Sequence, residues 1–120
     1  MRKIKIALLA GTLCFFGCKT KKEVVVSPPA PLDCSTREYS FAADIKNILE
    51  VNCVRCHGVN GADGLNFNTI EDAKKAANKG ELLGTIKHEN GFPKMPKYGA
   101  KLDQLSIDKI ECWIKTGMKD

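Results

Sequence analysis

The 120-residue chain is short of aromatic residues (7%, with a single Trp) and of prolines (five), and no apolar run approaches the roughly 20 residues that a membrane-spanning helix needs. These shortages exclude a collagen-like chain, a proline-rich disordered one and a membrane-spanning one, while 43% apolar residues suffice for one small globular domain. Clustered basic charge is missing as well. The formal net charge of +5 comes from 19 Lys+Arg against 14 Asp+Glu, but Arg2, Lys3 and Lys5 fall at the extreme N-terminus and the others are scattered among acidic residues. Nucleic-acid binding, which calls for a basic face, is not expected. No segment alternates apolar and polar residues as a half-buried strand does, which points to an all-α fold.

The N-terminus reads as an export leader. Met1 to Lys5 is a basic n-region, and Ile6 to Phe16 is an apolar and small-residue run of h-region length, about half a membrane span. Gly17 suits the position before a cut, Phe15 does not suit minus three of an ordinary signal-peptidase site, and Gly17-Cys18 resembles a bacterial lipoprotein signal in which Cys18 becomes lipid-modified. The expected organisation is a signal peptide over 1–17, a lipid-anchored tether over 18–33 and a folded domain over 34–120. Prolines 28, 29 and 31 favour extended geometry at about 3 Å per residue, enough to hold a domain up to roughly 45 Å from a lipid surface.

Export into an oxidising compartment changes how the remaining cysteines are read. Cys53-Val54-Arg55-Cys56-His57 is Cys-x-x-Cys-His, the attachment signature of c-type haem. Two thiols three residues apart can add to the two vinyl groups on one porphyrin edge, and the next residue offers its imidazole to the iron. Two other readings compete. A thioredoxin-like dithiol would follow a strand in a βαβ unit, whereas Phe41, Ile45, Ile48, Leu49 and Cys53 have helical spacing behind Ser40 as N-cap. A zinc site drawn from Cys53, Cys56, His57 and His88 would leave the rest of the chain without a role.

A haem iron held by His57 needs a sixth ligand or leaves an open position, and the candidates are Met95, Met118 and His88. Met95 lies in Gly91-Phe92-Pro93-Lys94-Met95-Pro96-Lys97-Tyr98-Gly99, a loop stiffened by prolines on both sides of it. Met118 falls in a tail expected to fray, and His88 at the end of a short helix, where an exposed imidazole suits the helix dipole. Helices are expected over 70–78, capped by Thr69 and ended by Gly80, over about 81–87, and over a C-terminal segment capped by Ser106 with Ile107, Ile110, Trp113 and Ile114 as one stripe ended by Gly117. The glycine-rich stretch 58–68 reads as a loop, with Leu65 and Phe67 turned inward.

Cys53 to Gly58, Met95-Pro96 with Gly99 and Leu102, and the C-terminal segment from Leu105 to Gly117 together resemble a small exported monohaem class I cytochrome c of the lipid-anchored variety with a Met-Pro haem loop. The resemblance implies a class I cytochrome c-like fold, about three to five helices around one covalently bound haem c, with His57 and Met95 as axial ligands and Cys53 and Cys56 as attachment points. Cys34 and Cys112 remain, and Cys112 lies off the main stripe of its helix. A Cys34–Cys112 disulfide is therefore expected, with two separate thiols as the alternative.

The leading functional expectation is a monomeric electron carrier, not an enzyme. It would pass single electrons between membrane-associated partners such as a dehydrogenase or an oxidase, from a lipid anchor facing the periplasm or cell exterior. Lys94, Lys97 and Lys101 flank Met95 and either steer an acidic partner or simply solubilise the surface. The alternative is a peroxidase-like or gas-binding haem protein with an open sixth position, for which only His88 and Tyr98 offer distal polar groups.

Overall fold

The structure, a computed structural model, describes residues 30–120. The expected signal peptide, the lipidation position Cys18 and the tether up to residue 29 lie outside the described residues. Within them the fold is all-α, with four α-helices and no strand: α1 (Lys46–Asn52), α2 (Ile70–Asn78), α3 (Glu81–Lys87) and α4 (Gln104–Lys115). A π-helical segment, Phe41–Ile45, runs straight into α1, and a 3-10 turn, Ala62–Gly64, interrupts the loop before α2. None of these helices is long and apolar enough to cross a membrane.

Local chemistry accounts for most helix ends. Ser40 and Thr69 have extended backbone, and their hydroxyls accept from the amides of Ala43 and Asp72, each satisfying an amide that the first turn leaves without a partner. Glu71 and Asp72 add negative charge at the positive end of α2. Gly80 (φ +75°) turns the chain between α2 and α3 in the left-handed region that glycine adopts without steric cost. The cap of α4 differs from expectation. Asp103, not Ser106, is the N-cap: its carboxylate accepts from the Ser106 amide at 2.9 Å and from the Ser106 hydroxyl at 2.6 Å. The helix therefore begins two residues before Ser106.

The core forms where α4 meets α3 and the π-helical segment. Ile45, Leu49, Ile86, Ile107, Ile110 and Trp113 are essentially inaccessible to solvent. Trp113 packs on Phe41 with ring centroids 6.0 Å apart. Its indole N–H donates to the Lys119 carbonyl at 2.8 Å, and the Phe41 amide donates to the same oxygen at 2.8 Å. The C-terminal tail is thus clasped to both ends of the helical core. Met118 packs against the core at φ +54° with its amide bonded to the Trp113 carbonyl, so the expectation of a fraying tail is incorrect.

Two further ties fasten the N-terminal segment and α3 to α4. Cys34 and Cys112 form a disulfide across a sequence separation of 78. Leu32 packs against the core, and its amide donates to Asp108 at 3.4 Å, so packing begins before Cys34. Glu111 on α4 takes Lys87 of α3 at 2.6 Å and Lys115 at 2.8 Å, and these two ammonium groups hold its carboxyl below the usual carboxylate range.

Candidate functional site

Cys-x-x-Cys-His sits where α1 ends. The Cys53 amide closes the last helical turn on the Leu49 carbonyl at 2.8 Å. The chain then tightens, with the amides of Cys56 and His57 both donating to the Cys53 carbonyl at 3.1 and 2.8 Å. This turn presents two thiols and one imidazole within five residues. Its close packing depends on glycine at two places, since a Cβ on Gly58 would lie 2.8 Å from the Val54 carbonyl oxygen and one on Gly61 2.7 Å from that of Cys56.

The orientation of His57 follows from a single hydrogen bond. Nδ1 lies 3.0 Å from the Ala62 carbonyl oxygen. A carbonyl only accepts, so Nδ1 carries the proton and Nε2 keeps the lone pair available to a metal. The rings of His57 and Phe67 meet in a T-shaped arrangement at a centroid distance of 5.6 Å, and the Phe67 amide donates to the His57 carbonyl at 2.8 Å. The acceptor on Nδ1 is a main-chain group five residues on, which no residue-type pattern could have indicated.

Cys53, Cys56, His57 and Met95 all line one cavity of about 1410 Å³. Its apolar walls include Leu65, Phe67, Leu82, Ile86 and Leu102, drawn from the loop before α2, from α3 and from the approach to α4. The volume exceeds the 300–1,000 Å³ usual for a small-molecule pocket and suits a large planar group. Met95 comes from the loop after α3, and the Met95–Pro96 bond is cis. The Met95 amide donates to the Thr85 carbonyl at 3.1 Å, and the Met95 carbonyl accepts from His88 Nε2 at 3.0 Å. His88 is therefore half-buried and engaged, not the freely exposed helix-end histidine expected.

The same geometry disposes of two alternatives. No group of three or more His, Cys, Asp or Glu side chains among the described residues could hold a bare metal ion, so the proposed zinc set of Cys53, Cys56, His57 and His88 is not assembled. Cys53 and Cys56 are not joined to each other. Burial pushes the Cys53 thiol up to about 11, the reverse of the lowered value that makes a dithiol reactive. There is also no strand among the described residues to build a thioredoxin-like unit.

The family described as cytochrome c oxidase, cbb3-type, subunit III matches residues 41–114, more than half of the chain. The chain belongs to this cytochrome c family. No curated protein and no solved structure matches it. Membership makes the chain a haem-based electron carrier, and its own residues fit that cofactor. Two unpaired thiols, an imidazole with Nε2 available and a thioether border one large, mostly apolar cavity. The matched span carries the whole cytochrome c signature and Met95, and leaves Cys34 outside.

Proposed function

We propose that this cytochrome c domain carries single electrons between membrane-associated redox partners, with one haem held by thioether bonds to Cys53 and Cys56 and ligated by His57 Nε2 and the Met95 sulfur. The observation that carries the reading is the convergence of these four side chains on one cavity. A haem bound there supplies a one-electron Fe(III)/Fe(II) couple, and thioether ligation raises its reduction potential. The protein's own contribution would be to hold His57 and Met95 in place, so that an electron could be passed without a change of ligand. His57 is oriented by Ala62, and Met95 is tied through both of its main-chain groups. The apolar part of the wall, with Leu65, Phe67, Leu82, Ile86 and Leu102, would limit the access of water to a haem bound there.

An open-site enzyme receives less support. Of the two distal polar groups it would use, His88 is bonded to a carbonyl and Tyr98 is 93% exposed. Like Lys74, Lys75 and Lys109, the loop lysines Lys94, Lys97 and Lys101 form no ion pair among the described residues. Lys97 lies over the Tyr98 ring at 5.7 Å, and Lys97, Tyr98 and Lys101 border the cavity. Lys97 and Lys101 at the rim would suit a brief, salt-sensitive encounter with an acidic partner, although Asp63, Glu81 and Asp103 line the same cavity. Lipidation of Cys18 in an exported lipoprotein would keep the domain close to such partners, facing the periplasm or cell exterior.

The ferric and ferrous optical spectra of the haem-loaded chain test the ligation. A weak red charge-transfer band that Met95→Leu abolishes, with slow carbon monoxide binding to the wild type, is expected. Rapid carbon monoxide binding and no such band would favour the open-site reading. Partition of the full-length chain into membranes, lost in Cys18→Ser, tests the anchor.

A further inference from the structure

His88 occupies a backbone position that ordinarily belongs to glycine. It follows α3 with φ +58° and ψ +40°. Its amide donates to the Thr85 carbonyl at 3.3 Å, and the next amide, of Glu89, donates to the Gly84 carbonyl at 2.9 Å. This is a Schellman-type helix end, in which the left-handed residue is most often Gly because a Cβ is disfavoured there. A bulky side chain at such a position points to a use for that side chain.

Among the described residues the ring has one hydrogen-bond partner, the backbone of Met95. Since the Met95 carbonyl can only accept, Nε2 carries the proton and donates. The left-handed turn brings the chain back over α3, so a residue seven positions upstream reaches the loop that carries Met95. The loop has two other holds on α3: the Met95 amide on the Thr85 carbonyl, and Phe92 packed against the Cα of Gly84. Of the three, only the His88 contact acts on the carbonyl side of Met95.

We propose that His88 is a positioning residue for the distal ligand, its Nε2–H fixing the Met95 carbonyl so that the thioether is held into the cavity. The proposal rests on Met95 being the sixth ligand. An external ligand must displace Met95 to bind iron, so its apparent affinity rises by the factor by which the closed loop is weakened. Losing one such hydrogen bond corresponds to roughly a three- to tenfold rise.

The test uses the full-length, haem-loaded protein and titration of the ferric form with imidazole, alongside thermal unfolding. His88→Gly removes the ring while relieving the backbone. It is expected to bind imidazole roughly three- to tenfold more tightly than wild type with no fall in unfolding temperature. His88→Gln, whose amide nitrogen has about the reach of Nε2, is expected to return imidazole affinity toward the wild-type value. An affinity in His88→Gly within about twofold of wild type overturns the proposal, whether or not the unfolding temperature changes. Met95→Leu separates the two layers. If it abolishes the red band while His88→Gly leaves imidazole binding unchanged, the positioning role alone fails. If Met95→Leu leaves the band intact, the ligation reading fails and takes the positioning role with it.

Discussion

Gly84→Ala should destabilise this protein, against the ordinary rule for glycine in a helix. Gly84 lies inside α3, where alanine is intrinsically better by about 1 kcal/mol. A Cβ built there, however, falls within 2.6 Å of three ring atoms of Phe92 (Cγ, Cδ2 and Cε2). Forcing that ring aside is overpacking, at about 1–3 kcal/mol. The net expectation is a loss of up to about 2 kcal/mol, which in a domain of this size lowers the unfolding midpoint by about 4–8 °C per kcal/mol. Removing the obstruction should invert the sign, so that in a Phe92→Ala background Gly84→Ala stabilises by about 0.5–1 kcal/mol. Urea unfolding of the four proteins of the cycle, compared by midpoint at constant slope, measures both effects. Stabilisation by Gly84→Ala of equal size in both backgrounds would refute the packing argument.

Gly61→Ala should be at least as damaging, because its new Cβ meets the backbone of Cys56 and Gly58 at 2.7 Å and backbone cannot swing away as a ring can; a yield of haem-loaded protein equal to wild type would contradict this. Replacing Cys34 and Cys112 by Ala opens a loop closed across 78 residues and should cost about 2–5 kcal/mol in chemical unfolding, with a change under about 0.5 kcal/mol counting against any stabilising role of the bridge. Glu111 has its carboxyl lowered in the folded state by Lys115 and Lys87, so its contribution is present above its unfolded value near 4.5 and disappears as pH falls through the lower folded value. Glu111→Gln should therefore lose up to about 1 kcal/mol at pH 7 and flatten the acid limb of the stability curve below about pH 4.5, and an unchanged acid limb would count against the pairing.

What could be read from residue types was whatever depends on local spacing. Thr69 ahead of Glu71 and Asp72, with Gly80 beyond, delimits α2 in the sequence as it does in the structure. The single stripe of Ile107, Ile110 and Trp113 marks the buried face of α4. Residue types alone do not single out Asp103 as its cap, because Asp103 and Ser106 are both good N-cap residues three positions apart, and here they bond to each other. The π-helical start at Phe41 is equally hidden, since five residues are too few to separate a π from an α period.

The supports of the candidate site were harder to read, because main-chain groups supply them. Ala62 acts on His57 through its carbonyl, Thr85 and His88 act on the main chain of Met95, and the tail is held by the Lys119 carbonyl. Backbone atoms are identical in every residue, so no side-chain pattern marks them. His88 illustrates the difficulty: its residue type suggested a ligand or a solvent-exposed cap, and only the left-handed backbone and the reach of Nε2 reveal its bond to Met95.

The proposed electron transfer depends on one haem being covalently joined to the turn after α1. Intact-mass measurement of the chain, produced in a host that matures c-type cytochromes and then extracted with acidic organic solvent, tests it most directly. The expected result is a mass increased by one haem, with peptide mapping locating it on Cys53 and Cys56. A haem-free mass after extraction, with both of those thiols open to alkylation, would contradict it.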